Sequence, residues 1–254
     1  MRRTARIALL LVTALLAPCA LVAAVFESGE RQVGLLELYS SEGCSSCPPA
    51  DRWLAGLQDD ARLWREFVPV AFHVDYWDDL GWKDRFAAPA WSARQQRYEK
   101  EGGIGTVYTP GVVYNGKEWT TWRITARWRL TPGDAVGPLR AELAGDALRV
   151  RFTPRAATAA PVIVTVALLG ADLTTQVAAG ENRGRELRHG FVVLAAASVP
   201  LQPDAAAYAG TVALPMSPIL APRRALAVWV SAGNSLQPLQ ATGGWLDETP
   251  DVGI

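Results

Sequence analysis

The sequence predicts an α/β domain over residues 31–145 followed by an antiparallel β-sandwich-like domain over 146–254. Three observations carry this. Apolar strand patterns alternate with helix-prone stretches in the first half. Short β-type runs separated by Pro- and Gly-rich joints fill the second. Between the first strand pattern and the first helix stands Cys44-Ser45-Ser46-Cys47, a pair of thiols two residues apart.

The chain opens on a segment that reads as an export signal over 1–24, with an N-terminal anchor as the alternative. Arg2, Arg3 and Arg6 make a charged start, 7–16 is apolar, and Val22-Ala23-Ala24 offers a small-residue cleavage site. The apolar stretch continues to Phe26, long enough for an uncleaved span of ~20 residues, although Pro18 interrupts it. Leu16-Ala17-Pro18-Cys19 has the outline of a lipoprotein cleavage box, with Pro18 where a small residue is expected. The expected location is periplasmic or secreted, with a possible membrane tether through the N-terminus. Cleavage removes Cys19 and leaves Cys44 and Cys47 in a compartment where disulfides persist. The 25 basic and 25 acidic residues cancel, and no basic run of nucleic-acid type appears, so no nucleic-acid partner is expected.

Residues 33–39 form the first apolar strand, and 49–57 a helical pattern. Residues 67–74 alternate with period two, Val68, Val70, Phe72 and Val74 sharing one face, and 90–100 are polar and helix-prone. Asn115-Gly116 between Val112-Val113-Tyr114 and Lys117-Glu118-Trp119 signals a hairpin, because both turn residues accept positive φ. Residues 122–130 place three arginines on one side of a period-two pattern, as in an edge strand with a solvated basic face. Residues 134–144 are expected to close the domain as a helix with Asp134 as its N-cap. Beyond them, 148–152, 162–168, 187–194, 211–214 and 225–230 are the expected strands.

The chemistry centres on Cys44 and Cys47. Pro48 and Pro49 are tolerated only in the first turn of a helix, so both sulfurs lie at its N-terminal end. Unpaired N–H groups and the positive end of the helix dipole favour a thiolate there, below the free pKa of ~8.5. Cys44 is expected as the exposed nucleophile and Cys47 as the resolving thiol. The bland alternative is an inert staple, which stabilises little across so short a loop.

Glu37-Leu38-Tyr39-Ser40-Ser41-Glu42-Gly43-Cys44-Ser45-Ser46-Cys47-Pro48-Pro49-Ala50-Asp51 closely resembles the opening motif of a secreted bacterial family, domain of unknown function 1223. Phe72-His73-Val74-Asp75-Tyr76-Trp77, Gly81-Trp82-Lys83-Asp84, Arg94-Gln95, Val107-Tyr108-Thr109-Pro110 and Gly180-Glu181-Asn182-Arg183-Gly184-Arg185 look like its further blocks. The resemblance implies a thioredoxin-like domain followed by a β-rich one. It also implies that Thr109 and Pro110 form a threonine–cis-proline element facing the dithiol, with Tyr108 offering its backbone to an extended peptide. Gly111 stands where the family usually has a polar residue.

Glu37, seven residues before Cys44, is either a buried acid relaying protons to the dithiol or an exposed strand-edge residue. Tyr76, Trp77 and Trp82 either wall a peptide groove or pack an insertion onto the domain. His73 is expected to hydrogen-bond near the dithiol or at the strand end, within reach of substrate, and His189 to lie on the sandwich surface.

The function expected is thiol–disulfide exchange through Cys44 and Cys47, with protein or small-thiol disulfides as substrates, a separate redox partner, and neither metal nor prosthetic group. Two rivals remain. One is a metal-binding or metal-delivery protein using the same cysteines with His73 and Asp75; the other is a thioredoxin-like binding module that does no catalysis.

Overall fold

The computed structural model describes residues 22–123, 133–156, 158 and 160–246. Most of the expected export segment and of the 122–130 segment lies outside them. The described chain is mostly β-sheet. It forms strands β1 Val22–Glu27, β2 Gly34–Ser40, β3 Phe67–His73, β4 Gly111–Tyr114, β5 Lys117–Glu118, β6 Leu139–Ala144, β7 Ala147–Phe152 and β8 Val162–Ala171. These continue with β9 Leu173–Gln176, β10 Glu186–His189, β11 Val192–Pro200, β12 Gln202–Asp204, β13 Ala207–Ala213, β14 Arg223–Ala232 and β15 Pro238–Trp245. Two α-helices, α1 Pro48–Ala55 and α2 Pro89–Lys100, both fall in the first half. The strands make an eight-stranded sheet ordered β15-β14-β8-β11-β3-β2-β4-β5, a five-stranded sheet ordered β1-β6-β7-β13-β12, and the two-stranded ribbon β9–β10.

In the eight-stranded sheet β2 and β3 run parallel and β4 antiparallel to β2. Every residue of β2 and β3 is buried, so the alternation in 67–74 does not divide core from solvent. Helices cover both faces of these strands, as a parallel pair joined by a helix requires. On one face Ser40 donates to Asp51 of α1; on the other Glu37 and Tyr39 meet Arg94 and Tyr98 of α2. Pro69 sits inside β3 because its missing N–H would point to the β11 side. There the register has a single pair, Val192 with Ala71, closed by the Ala71 N–H on Phe191. That pairing joins strands of the 31–145 and 146–254 segments in one sheet.

Pro48 and Pro49 occupy the first turn of α1 and Gly56 ends it. The β4–β5 hairpin turns on Asn115 at φ 47° and Gly116 at φ 81°, and the Asn115 Oδ1 also accepts the Leu35 N–H.

The expected helix over 134–144 is a strand instead. Gly137 at φ 98° and Pro138 end any helical start, and Leu139, Ala141 and Leu143 are buried alternately as β6 pairs with β1 and β7. Burial period decides here over the N-cap signal of Asp134. These side chains, with Phe26, Leu148, Val150 and Phe152, share one core with Val162, Val164, Val166 and Leu168 of β8 and Leu226, Val228 and Val230 of β14. The five-stranded sheet thus packs face to face on the outer strands of the larger one. The alternate residues Ala167, Leu169, Ala225, Ala227 and Trp229 belong to the other core, with β2, β3 and the helices.

The cross-link through that second core is polar. Glu37 is wholly buried and accepts Arg94 Nε at 2.8 Å, Arg94 Nη2 at 3.1 Å, Tyr39 Oη at 2.9 Å and Tyr98 Oη. The Arg94 guanidinium lies 5.3 Å from the Phe72 ring centroid and 5.6 Å from that of Trp229. Removing one member of a buried pair strands the other charge at a cost of about 3–5 kcal/mol. We therefore expect Arg94→Met to lower the unfolding free energy in urea by ~3–5 kcal/mol, and Glu37→Leu with Arg94→Met to recover more than half of that loss. A loss below ~1 kcal/mol in the single variant is the outcome expected only of a solvated surface pair.

Candidate functional site

The chain leaves β2 at Ser40, makes two tight turns and enters α1. Across that loop Cys44 and Cys47 are joined as a disulfide, with Cα atoms 5.4 Å apart. Cys47 is the N-cap of α1, and its carbonyl accepts the N–H groups of Ala50 and Asp51 at 2.8 and 3.1 Å. This is the helix-start position expected from the two prolines. The exposure expected of Cys44 is not found: both cysteines are 0% exposed, while Ser45 and Ser46 between them face solvent.

Two elements cover the sulfurs' loop. Trp77 packs against Gly43, where an added Cβ would lie 3.0 Å from the Trp77 Cβ, and its indole N–H donates to Thr109 Oγ1 at 2.8 Å. The Thr109–Pro110 bond is cis and leads into β4, whose Gly111 pairs with Tyr39. Trp77 therefore links the disulfide loop to the Thr109–Pro110 segment. Tyr108 is partly exposed; its hydroxyl donates to Glu118 at 2.7 Å and its carbonyl accepts Gln95 Nε2 at 2.6 Å. A side chain at Gly111 would meet that carbonyl at 2.9 Å and the Gln95 amide at 3.2 Å, so position 111 offers no room for one.

The second cover is the β9–β10 ribbon. Its tip brings the buried Asn182, whose amide donates to the carbonyls of Glu42 at 2.8 Å and Cys44 at 2.9 Å. Glu181 accepts the Ser45 N–H at 3.1 Å, and the Ser45 hydroxyl together with that N–H holds its carboxyl below the usual range. The 180–185 loop thus reaches the dithiol across about 140 residues of sequence.

Around this loop lies a buried polar cluster. His73, at the end of β3, is hydrogen-bonded to Asp84, with Nδ1 2.6 Å from Oδ2. Burial alone would lower the His73 pKa; the Asp84 carboxylate, with Asp51 and Glu42 farther away, outweighs it and pushes it up to about 9. Burial likewise raises Asp84, but His73 prevails and the carboxyl titrates below its ordinary value. Asp51 moves the other way: burial pushes it up against the pull of His189, His73 and the Ser40 hydroxyl at 2.7 Å. Glu42 accepts the Trp82 indole N–H at 2.8 Å and its backbone N–H donates to Asp84 at 2.8 Å. His189 Nε2 stands 3.2 Å from Glu42 Oε1 and its Nδ1 3.9 Å from Asp51 Oδ2. One ligand atom each from Asp51, His73 and His189 lie within 4.8 Å of one another, the set best able to hold a metal among the described residues.

Several expectations change in consequence. Strand parity turns Glu37 to the α2 face, opposite α1, and its four hydrogen bonds leave no acceptor for a proton relay. His73 is too deeply buried to touch a substrate, and His189 is 2% exposed, in the cluster and not on the sandwich surface. Asp75 turns to Ser92 and away from the cysteines. Trp82 anchors Glu42, whereas Tyr76 remains exposed beside Trp77. Glu42, Asp51, Asp84 and Asn182 escaped sequence reasoning as site residues. Each lies inside a motif block, but nothing in one-dimensional spacing brings 182 and 189 to 42 and 51.

Among the described residues Asn182 is the single side chain that ties the ribbon to the disulfide loop by two buried hydrogen bonds. Its replacement by Ala removes the donor of the Glu42 carbonyl and leaves the Cys44 carbonyl with the Cys47 N–H, a loss of about 1–3 kcal/mol in chemical denaturation. We expect Asn182→Ala also to accelerate reduction of Cys44–Cys47 by dithiothreitol; an unchanged rate means that the ribbon tip does not guard the bond. No curated protein significantly matches the chain. Among solved structures it is similar to protein AGR_C_4864 from Agrobacterium tumefaciens, with 23% identity and a TM-score of 0.60, covering 86% of this chain and 96% of that one. It is also similar to HBP35 of Porphyromonas gingivalis, with 15% identity and a TM-score of 0.54 over 89% and 79% of the two chains. Both likenesses concern the fold alone. The model of the family described as "Protein of unknown function (DUF1223)" matches residues 35–231, and the chain belongs to that family.

Proposed function

We propose that this protein is an exported thiol–disulfide oxidoreductase with a thioredoxin-like first half. The observation that carries the reading is the Cys44–Cys47 disulfide at the N-terminal end of α1, directly after a central parallel strand. The strand order β3-β2-β4-β5, with α1 and α2 on opposite faces, supports the thioredoxin-like assignment. The Thr109–Pro110 segment beside Trp77, rimmed by the exposed Tyr76 and Tyr108, supports docking of an extended peptide there.

In the reducing direction the Cys44 thiolate attacks one sulfur of a substrate disulfide and expels the other as a thiolate. The Cys47 thiolate then attacks the Cys44 sulfur, releases the second substrate thiol and closes the Cys44–Cys47 bond. Two electrons and two protons pass to the substrate, and a redox partner or small thiol restores the dithiol. Run backwards, the same steps oxidise a substrate dithiol. Because the sulfurs are covered in the closed structure, exchange requires the ribbon tip at Glu181 and Asn182 to move off the loop. Export rests on the charged and apolar start of the chain. Cleavage after Ala24 keeps Val25–Glu27 paired with β6 and Phe26 in the sandwich core.

With Cys47→Ala, the mixed disulfide has no resolving thiol, so adducts through Cys44 should accumulate on non-reducing gels and vanish with dithiothreitol. Alkylation of Cys44 in that variant should show a thiol pKa below ~8.5. The absence of adducts together with an ordinary thiol pKa would leave the disulfide a structural staple.

A further inference from the structure

We infer that Asp51, His73 and His189 form a three-ligand binding site for a divalent transition metal of the zinc class. The inference is independent of dithiol chemistry, since no ligand is a cysteine.

The first argument is the set of polar atoms left without hydrogen-bond partners. Glu42 Oε1, Asp51 Oδ2, His73 Nε2 and both ring nitrogens of His189 are buried and unpartnered. The 3.2 Å approach of His189 Nε2 to Glu42 is too poorly aligned for a hydrogen bond. Buried polar atoms are ordinarily paired, and orphaning one costs roughly 1–3 kcal/mol. Here they belong to four residues of one cluster, brought from the β2–α1 loop, α1, β3 and β10.

Charge supplies the second argument. Glu42, Asp51 and Asp84 are each at most 5% exposed, and the ion pairs of the described residues bring only the two imidazoles to them. Three buried carboxylates face two imidazoles, so even with His73 protonated the carboxylates outnumber the positive charge, and a divalent cation offsets the excess.

The donor set is the third. Two imidazoles and one carboxylate make a three-ligand set that suits zinc and its neighbours with a fourth position open, whereas calcium and magnesium take oxygen ligands. The Asp84 carboxylate holds His73 Nδ1 and thereby presents Nε2, the arrangement in which a second carboxylate fixes the tautomer of a metal-bound histidine. Phe86 packs edge-on against both imidazoles, at 5.3 and 5.5 Å between centroids, and walls the site with an apolar ring. The three ligand atoms lie within 4.8 Å of one another and would close to ~3.4 Å around an ion bonded at ~2.1 Å. A pocket of about 140 Å³ between Pro48, Asp51 and Arg52 of α1 and Glu186, Leu187 and Arg188 of β10 borders the site at Asp51.

The test uses the full chain stripped with chelator and dialysed against Zn²⁺ at neutral pH, with bound metal counted by mass spectrometry. One zinc per chain and a raised melting temperature are expected. Asp51→Asn and His189→Gln should each weaken binding at least tenfold, and Asp84→Asn, acting through His73, ten- to a hundredfold. Cys44→Ser with Cys47→Ser should leave binding unchanged. Because the histidine variants can also unfold the site, the wild-type protein loaded with Co²⁺ supplies a second readout: visible d–d bands of a nitrogen–oxygen site without thiolate charge transfer. Absence of stoichiometric zinc in the wild type overturns the inference, and so does a metal that leaves with the cysteines. In either case the imidazoles serve only as ionic partners of the buried carboxylates.

Discussion

Three carboxylates withdrawn from water at one point constrain everything around the disulfide. Glu42 and Asp51 flank the Cys44-Ser45-Ser46-Cys47 loop on its two sides, and Asp84 reaches it from the segment before α2. Each loses hydration worth many kcal/mol when buried, and each must recover it from donors and positive charge. The groups that face them come from far away in sequence: His73 from β3, Trp82 from the following loop, His189 from β10. The β9–β10 ribbon therefore docks on α1 for an electrostatic reason, and the single β3–β11 pairing beside it holds both parts of the chain in one sheet.

That docking gives the disulfide its environment. A dithiol at a helix start is ordinarily accessible, because its chemistry needs a second sulfur to approach in line. Here the ribbon that brings His189 to the acids also lays Asn182 over the Glu42 and Cys44 carbonyls. Access and electrostatic stability are thereby coupled: lifting the tip to expose Cys44 also breaks the two buried hydrogen bonds of Asn182. The tip is held at the disulfide by few bonds, whereas the base of the ribbon is held by the four pairs of β9 with β10 and by packing on α1. Opening confined to the tip is the less costly motion.

The parts of the fold legible in the sequence are those set by local rules. Paired prolines fixed the start of α1, Asn115-Gly116 fixed the hairpin, and apolar runs fixed β2, β3, β8 and β14. The segment 134–144 failed because Asp134 satisfies a helix-start rule while Leu139, Ala141 and Leu143 satisfy a strand rule, and pairing with β1 and β7 decides between them. In the site, the helix-start position of Cys44 and Cys47 was legible because Pro48 and Pro49 set it locally, whereas the cis Thr109–Pro110 bond was reached only through the family resemblance. His189 was not, since a histidine at a strand end is solvated or buried according to what faces it, and that partner lies more than a hundred residues away.

Glu37 shows the same limit in sharper form. An acid seven residues before a dithiol suggests a buried proton carrier, yet side chains alternate along a strand, and odd positions of β2 face α2 while Ser40 faces α1. Its charge is spent on Arg94 and two tyrosines, which is a packing role. The buried acid on the disulfide's own helix is Asp51, four residues beyond Cys47, whose carboxyl burial holds above its ordinary pKa. Position on the correct face of the sheet, more than distance along the chain, selects which acid shares the environment of the sulfurs.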